Sequence, residues 1–140
     1  MRNSKIRIFY TDDDPDDQML FSEVVSVHPS ISGFTIHNDG QELIDSLVGP
    51  EPLPDLIFLD VNMPRMNGLE ALKEIRSTDR LNEIPVVVFT TSDDISTIVN
   101  ARTIGANLFI TKPGNYDSFK KAITFSLLVD WSSFITHDNN

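Results

Sequence analysis

Apolar positions along the chain keep two rhythms in turn, a strand rhythm and a helix rhythm, and the pair repeats five times. Ile6-Arg7-Ile8-Phe9-Tyr10-Thr11 is β-branched and aromatic and predicts a first strand. Pro15 suits the first position of a helix with Asp14 as N-cap, and Met19, Leu20, Val24 and Val27 recur at near-helical spacing. A first helix is therefore expected to about His28, where Pro29 stops it. Phe34-Thr35-Ile36-His37 predicts a short second strand, and Leu43, Ile44 and Leu47 a short second helix. The three prolines of Gly49-Pro50-Glu51-Pro52-Leu53-Pro54 make that stretch a loop.

Leu56-Ile57-Phe58-Leu59 has no polar alternation, the signature of a strand buried on both faces of a parallel sheet. It runs straight into Asp60. Leu69, Leu72 and Ile75 mark a third helix ending near Thr78, and Val86-Val87-Val88-Phe89 a second fully buried strand. Ile95, Ile98, Val99 and Arg102 continue as a helix that Gly105 ends, and Leu108-Phe109-Ile110 is a fifth strand. Ile123, Leu127, Leu128, Trp131 and Phe134 stripe a last helix expected from about Asp117 to Phe134. Strands alternating with helices in this way imply an α/β fold, a parallel sheet covered by helices on both faces.

Composition narrows the class. At 140 residues the chain fits one domain, 1–140, with its core at about 5–128 and a helical extension to about 135. It is 40% hydrophobic and 23% charged, ordinary for a globular protein. Cysteine is absent, which excludes disulfides, thiolate metal sites and a Cys nucleophile and agrees with a cytoplasmic location. A net charge of −10 argues against phosphate-backbone contacts to nucleic acid, and no stretch approaches the length of a membrane span. The three histidines, His28, His37 and His137, lack ligand spacing and read as structural or surface residues.

Parallel strands bring all their C-terminal ends to one edge, where ligands of open α/β sheets gather. That edge collects Asp12 and Asp13, Asp60, Thr90 and Lys112. Three carboxylates stay ionised together only with a counterion, and an all-oxygen set suits a hard divalent cation such as Mg²⁺. With a lysine and a hydroxyl nearby, the set can stabilise a transferring phosphoryl group, and one carboxylate can act as nucleophile. Asp60, alone on the central strand, is the best candidate.

The ordered set Asp12-Asp13, Leu59-Asp60-Val61-Asn62-Met63-Pro64 with Gly68, Thr90-Thr91-Ser92 and Lys112-Pro113 resembles the receiver domain of bacterial two-component response regulators. The likeness runs from roughly Lys5 to Leu128, and the runs Asp12–Asp17 and Phe89–Ser92 look most like single-domain regulators of the cyanobacterial phytochrome-linked type. The resemblance implies a doubly wound five-stranded flavodoxin-like sheet of order 2-1-3-4-5. It also implies that Asp60 is the phosphoacceptor and that Mg²⁺ is held by Asp13, Asp60 and the Asn62 backbone carbonyl, with Asp12 acting through coordinated water. Lys112 would pair with the phosphate, Thr90 would close onto it, Phe109 would sit at the aromatic switch position, and Pro113 would follow a cis bond. Asn62 and Ser92 would tune dephosphorylation. The implied partners are a histidine kinase or phosphotransfer protein and a downstream protein target.

Blander readings stand beside these. The Asp12–Asp17 run caps a helix, which accounts for Asp14, Asp16 and Asp17 but has no use for Asp12 and Asp13. Thr90 fits a strand by propensity alone, and Phe109 fits a core. Tyr10 and Thr11 depart from the aliphatic residues usual before the acidic pair, a change expected to crowd or polarise the site. Trp131 and Phe134, with the Arg102 and Phe109 region, are expected to form a homodimer or partner face on the fourth helix, fifth strand and fifth helix. Two rivals remain open: a small Asp-nucleophile phosphohydrolase, and a scaffold of the same fold that is never phosphorylated.

Overall fold

The computed structural model describes residues 5–131. The elements run β1 (Ile6–Thr11), α1 (Pro15–Ser26), β2 (Ile31–His37), α2 (Gly40–Val48) and β3 (Leu56–Leu59), then α3 (Gly68–Ser77), β4 (Val86–Thr90), α4 (Ile95–Ile104), β5 (Leu108–Thr111) and α5 (Tyr116–Leu128). All strand pairings are parallel, in the order β2-β1-β3-β4-β5. This is the doubly wound sheet the alternation implied.

The pleat explains why the central strands carry no polar positions. Ile57 and Leu59 of β3, with Val86 and Val88 of β4, face a core shared with Leu43, Leu47, Leu72, Ile75 and Ala101 of α2, α3 and α4. Leu56, Phe58, Val87 and Phe89 point the other way, into a second core built with Phe21 and Val25 of α1 and Phe119 and Ile123 of α5. Each large side chain buried in this manner contributes roughly 1.5–3 kcal/mol relative to exposure. Both faces of β3 and β4 must therefore be apolar, and a charge is tolerated only past their tips.

Helix starts follow the local chemistry. The Asp14 carboxylate accepts from the backbone N–H groups of Asp16 and Asp17, with Pro15 at the first helical position. Asp39, Asn67, Asp94 and Asn115 cap the other four helices, Asn67 through a reciprocal capping box with Glu70. Gly105, at φ 130, ends α4 in a conformation that a Cβ would strain.

Three expectations are corrected. Strand β2 begins at Ile31 rather than Phe34, because pairing with β1 from Ile6 draws Ser32 and Gly33 into the edge strand. Helix α5 stops at Leu128; Val129 is extended, and Trp131 folds back into the α1/α5 core with its indole N–H donating to the Ser126 carbonyl at 2.9 Å. Burying that ring and satisfying its single donor outweighs continuing the helix, and Phe134 lies outside the described residues. The Lys112–Pro113 bond is trans, as there are no cis peptides among the described residues. Trans is the lower-energy form wherever the chain does not force the other. No helix among the described residues is long and apolar enough to cross a membrane.

Candidate functional site

Backbone pairing brings the strand tips together. The Asp60 N–H donates to the Thr11 carbonyl at 2.9 Å, the Asp12 N–H to the His37 carbonyl at 3.0 Å, and the Lys112 N–H to the Thr90 carbonyl at 2.7 Å. Side chains from β1, β3, β4 and β5 therefore start from one rigid line. Gly68 closes the turn after Asp60: its N–H donates to the Val61 carbonyl at 2.9 Å, and a Cβ there would collide with the Asp60 carbonyl oxygen. Gly40 also passes too close to the Met66 carbonyl oxygen to admit a Cβ, and Arg65, itself at φ 63, forks onto Asp39 at 2.9 and 3.2 Å. The loop carrying Asp60 is thus tied to the start of α2.

One carboxylate oxygen from each of Asp12, Asp13 and Asp60 lies within 4.8 Å of the others. Asp12 and Asp60 are buried, and Asp13 is exposed toward solvent. The Lys112 ammonium reaches this cluster from β5, 2.7 Å from Asp12, 2.8 Å from Asp17 and 3.3 Å from Asp60. Asp60 also accepts the Val61 N–H at 2.7 Å. Asp12 is the most constrained: one oxygen accepts the Asp14 N–H at 3.0 Å, and the other accepts both Lys112 and the Tyr10 hydroxyl, the latter at 2.8 Å.

Burial pushes the Asp12 carboxyl above its usual range, against the lowering pull of Lys112 and the Asp14 N–H. Burial also works against the Lys112 ammonium, but the hydrogen bonds it donates to Asp12 and Asp17 outweigh it and raise its pKa. Burial, then the facing Asp12 charge, drives the Tyr10 phenol far above its ordinary value, so it remains a donor. Three carboxylates meeting at one solvent-open point form an all-oxygen donor set, which fits a hard divalent cation.

The model of the response regulator receiver domain matches residues 8–124. The chain belongs to this family. Among solved structures it resembles the phosphorylated cyanobacterial phytochrome response regulator RcpA, at 30% identity and TM-score 0.83 over 88% of this chain and 91% of that one. It also resembles the Mn²⁺-bound form of the response regulator Rcp1, at 30% identity and TM-score 0.78 over 86% and 90%. Among curated relatives, a protein-glutamate methylesterase/protein-glutamine glutaminase of Trichodesmium erythraeum is 37% identical over 86% of this chain and 34% of its own length. The response regulator MprA of Mycolicibacterium vanbaalenii is 33% identical over 77% of this chain and 44% of its own. The chain thus spans less than half the length of these two relatives. Membership makes this a receiver domain of two-component signal transduction, and the aspartate trio is the kind of metal site receivers carry.

In this receiver, Asp12, Asp13, Asp60 and Lys112 converge as the sequence predicts. Thr90 is fully buried at the end of β4, and its hydroxyl oxygen accepts the Ser92 N–H at 3.3 Å. Phe109 is half-buried and packs against the core formed with α2, α3 and α4. Pro113 follows Lys112 through a trans bond.

Three features escaped the sequence reading. Asp17, taken there as capping alone, binds Lys112, a contact that no spacing along the chain signals. Tyr10 makes a specific hydrogen bond, where only crowding or polarisation was foreseen. The Asn62 amide donates to the Ser92 hydroxyl at 2.6 Å, bridging the loops after β3 and β4. No one-dimensional spacing reveals that bridge.

Proposed function

We propose that Asp60 accepts a phosphoryl group from a histidine kinase or histidine phosphotransfer protein. A carboxylate oxygen of Asp60 attacks the phosphorus of the donor phosphohistidine. The P–N bond breaks, the electron pair leaves with the imidazole, and an acyl phosphate forms on Asp60. The observation that supports this most directly is the convergence of three carboxylates and a buried ammonium on one rim.

Asp12, Asp13, Asp60 and the Asn62 backbone carbonyl would hold Mg²⁺, whose chemistry is to neutralise charge on the transferring phosphoryl oxygens. Lys112 pairs with the phosphate once it is attached. The Thr90 hydroxyl turns from the Ser92 N–H toward the phosphoryl group, and Phe109 shifts with it, repacking the face of α4, β5 and α5. The Asn62–Ser92 bridge lies where it can tune dephosphorylation. Output is by contact with a downstream protein or by onward phosphate relay, with the chain acting in the cytoplasm.

Ile95, Val99 and Tyr116 are exposed on that face and support a homodimer or partner contact there. Trp131 does not contribute to such a contact, since it is buried in the core.

The test is mass spectrometry after incubation with acetyl phosphate and Mg²⁺. A single phosphoryl adduct, abolished by chelation, is expected. Steady turnover of a small phosphate ester would instead identify a phosphohydrolase. Absence of any adduct would leave a scaffold that is never phosphorylated.

A further inference from the structure

Lys112 carries three ammonium protons, and three carboxylates claim them: Asp12 at 2.7 Å, Asp17 at 2.8 Å and Asp60 at 3.3 Å. The ammonium is fully committed, and it lies nearer Asp12 and Asp17 than the proposed acceptor. Its side chain is 5% exposed, so water does not compete for it. A phosphoryl group on Asp60 takes over that carboxylate's own claim and adds further acceptor oxygens, so a lysine that meets more than one of them must give up one of the two nearer carboxylates.

The two nearer carboxylates differ in what they lose. Asp12 is 1% exposed, takes the Tyr10 hydroxyl and the Asp14 N–H as well, and belongs to the metal trio. Asp17 stands outside that trio, on the first turn of α1, and is 19% exposed, so water can replace the lysine there. Burying an unpaired carboxylate is costly, whereas re-solvating a partly exposed one is cheap.

We propose that Asp17 is a positioning residue that holds Lys112 back toward α1 in the resting state and releases it when Asp60 is phosphorylated. The proposal rests on the reading of Asp60 as acceptor. An attraction present in the resting state and lost in the active one biases the equilibrium toward rest. Asp17 thereby sets how much phosphoryl-group binding is needed to switch the domain. A carboxylate that merely favours the N-terminus of α1 acts equally in both states and leaves that equilibrium unmoved.

The experiment titrates the full chain, saturated with Mg²⁺, with the phosphoryl mimic beryllofluoride. Wild type, Asp17→Asn and Asp17→Glu are compared by their apparent affinity. Asp17→Asn is expected to bind the mimic about fivefold more tightly, in line with the loss of a partly exposed ion pair. Asp17→Glu is expected to restore the wild-type value. Unchanged or weaker binding by Asp17→Asn overturns the proposal while leaving Asp60 as acceptor. No binding by wild type overturns the reading of Asp60 and this proposal with it. A structure of wild type with beryllofluoride adds a check that needs no variant: Lys112 Nζ should lie beyond about 4 Å from the Asp17 carboxylate. Retention of that ion pair at hydrogen-bond distance would overturn the proposal.

Discussion

Tyr10 carries the only phenol in the acid cluster among the described residues, buried beneath the tip of β1 and stacked on Phe21 with ring centroids 4.1 Å apart. Its hydroxyl fixes one oxygen of Asp12, and a partner behind a metal-ligating carboxylate governs that ligand's orientation. Tyr10→Phe should lower the Mg²⁺ affinity about tenfold, measured by calorimetry. The loss of one buried hydrogen bond should also cost roughly 1 kcal/mol in urea denaturation. A Tyr10→Phe protein that binds Mg²⁺ as wild type does would remove Tyr10 from the site. At this scale the sequence was legible where one residue type admits one chemistry: Asp60 past an apolar strand, Lys112 past a short one. It was illegible where a residue serves two purposes. Asp17 does stand in the first turn of α1, an adequate reason for its presence that hid its bond to Lys112.

The turn from β3 to α3 is the element on which presentation of Asp60 depends. Its tightest point is Gly68, whose missing side chain lets the helix start pass against the Asp60 carbonyl. Gly68→Ala should destabilise by about 2 kcal/mol or more and abolish acetyl phosphate labelling, because the backbone must move to admit a methyl group. Stability and labelling both at wild-type level would show that the approach is looser than described. Elements were readable wherever burial on two faces left no polar residue, as in β3 and β4. They blurred where it did not: β2 lies at the sheet edge and carries Ser32 and Gly33 directly after Ile31, a stretch that resembles a loop until β1 pairs with it. The end of α5 was misread for a related reason. Trp131 keeps helical spacing with Leu127 and Leu128, but spacing cannot distinguish a helix that continues from a chain that turns back to bury an indole.

Part of the molecule's acidity meets at one end of the sheet, and its stability should respond to ions and protons accordingly. Mg²⁺ that binds the folded state alone should raise the melting temperature in proportion to the logarithm of its concentration, an effect weakened in Asp13→Asn. His37 is buried against Phe9, and neither ring nitrogen has a hydrogen-bond partner among the described residues. Burial holds its pKa below the usual value even though Glu42 and Asp39 pull it upward. The unfolded chain therefore takes up a proton near pH ~6.5 that the folded chain refuses, so stability should fall as pH drops from there toward the lowered folded value. Asp39 is held below the carboxylate range by Arg65, so its contribution is present above about pH 3.9 and lost as pH falls through its own lowered value. Urea midpoints against pH should show the earlier decline in wild type and not in His37→Gln. Light scattering at micromolar concentration, with and without beryllofluoride, tests the α4–β5–α5 contact, and a monomer in both conditions would remove the homodimer. The architecture was the most legible level, because alternating strand and helix rhythms leave few sheets to choose from. The central claim, that Asp60 is the phosphoacceptor, is tested most directly by mapping the phosphoryl adduct in wild type and Asp60→Asn after acetyl phosphate and Mg²⁺. The adduct should localise to Asp60 in wild type and be absent from Asp60→Asn; label that persists in the variant would contradict the claim.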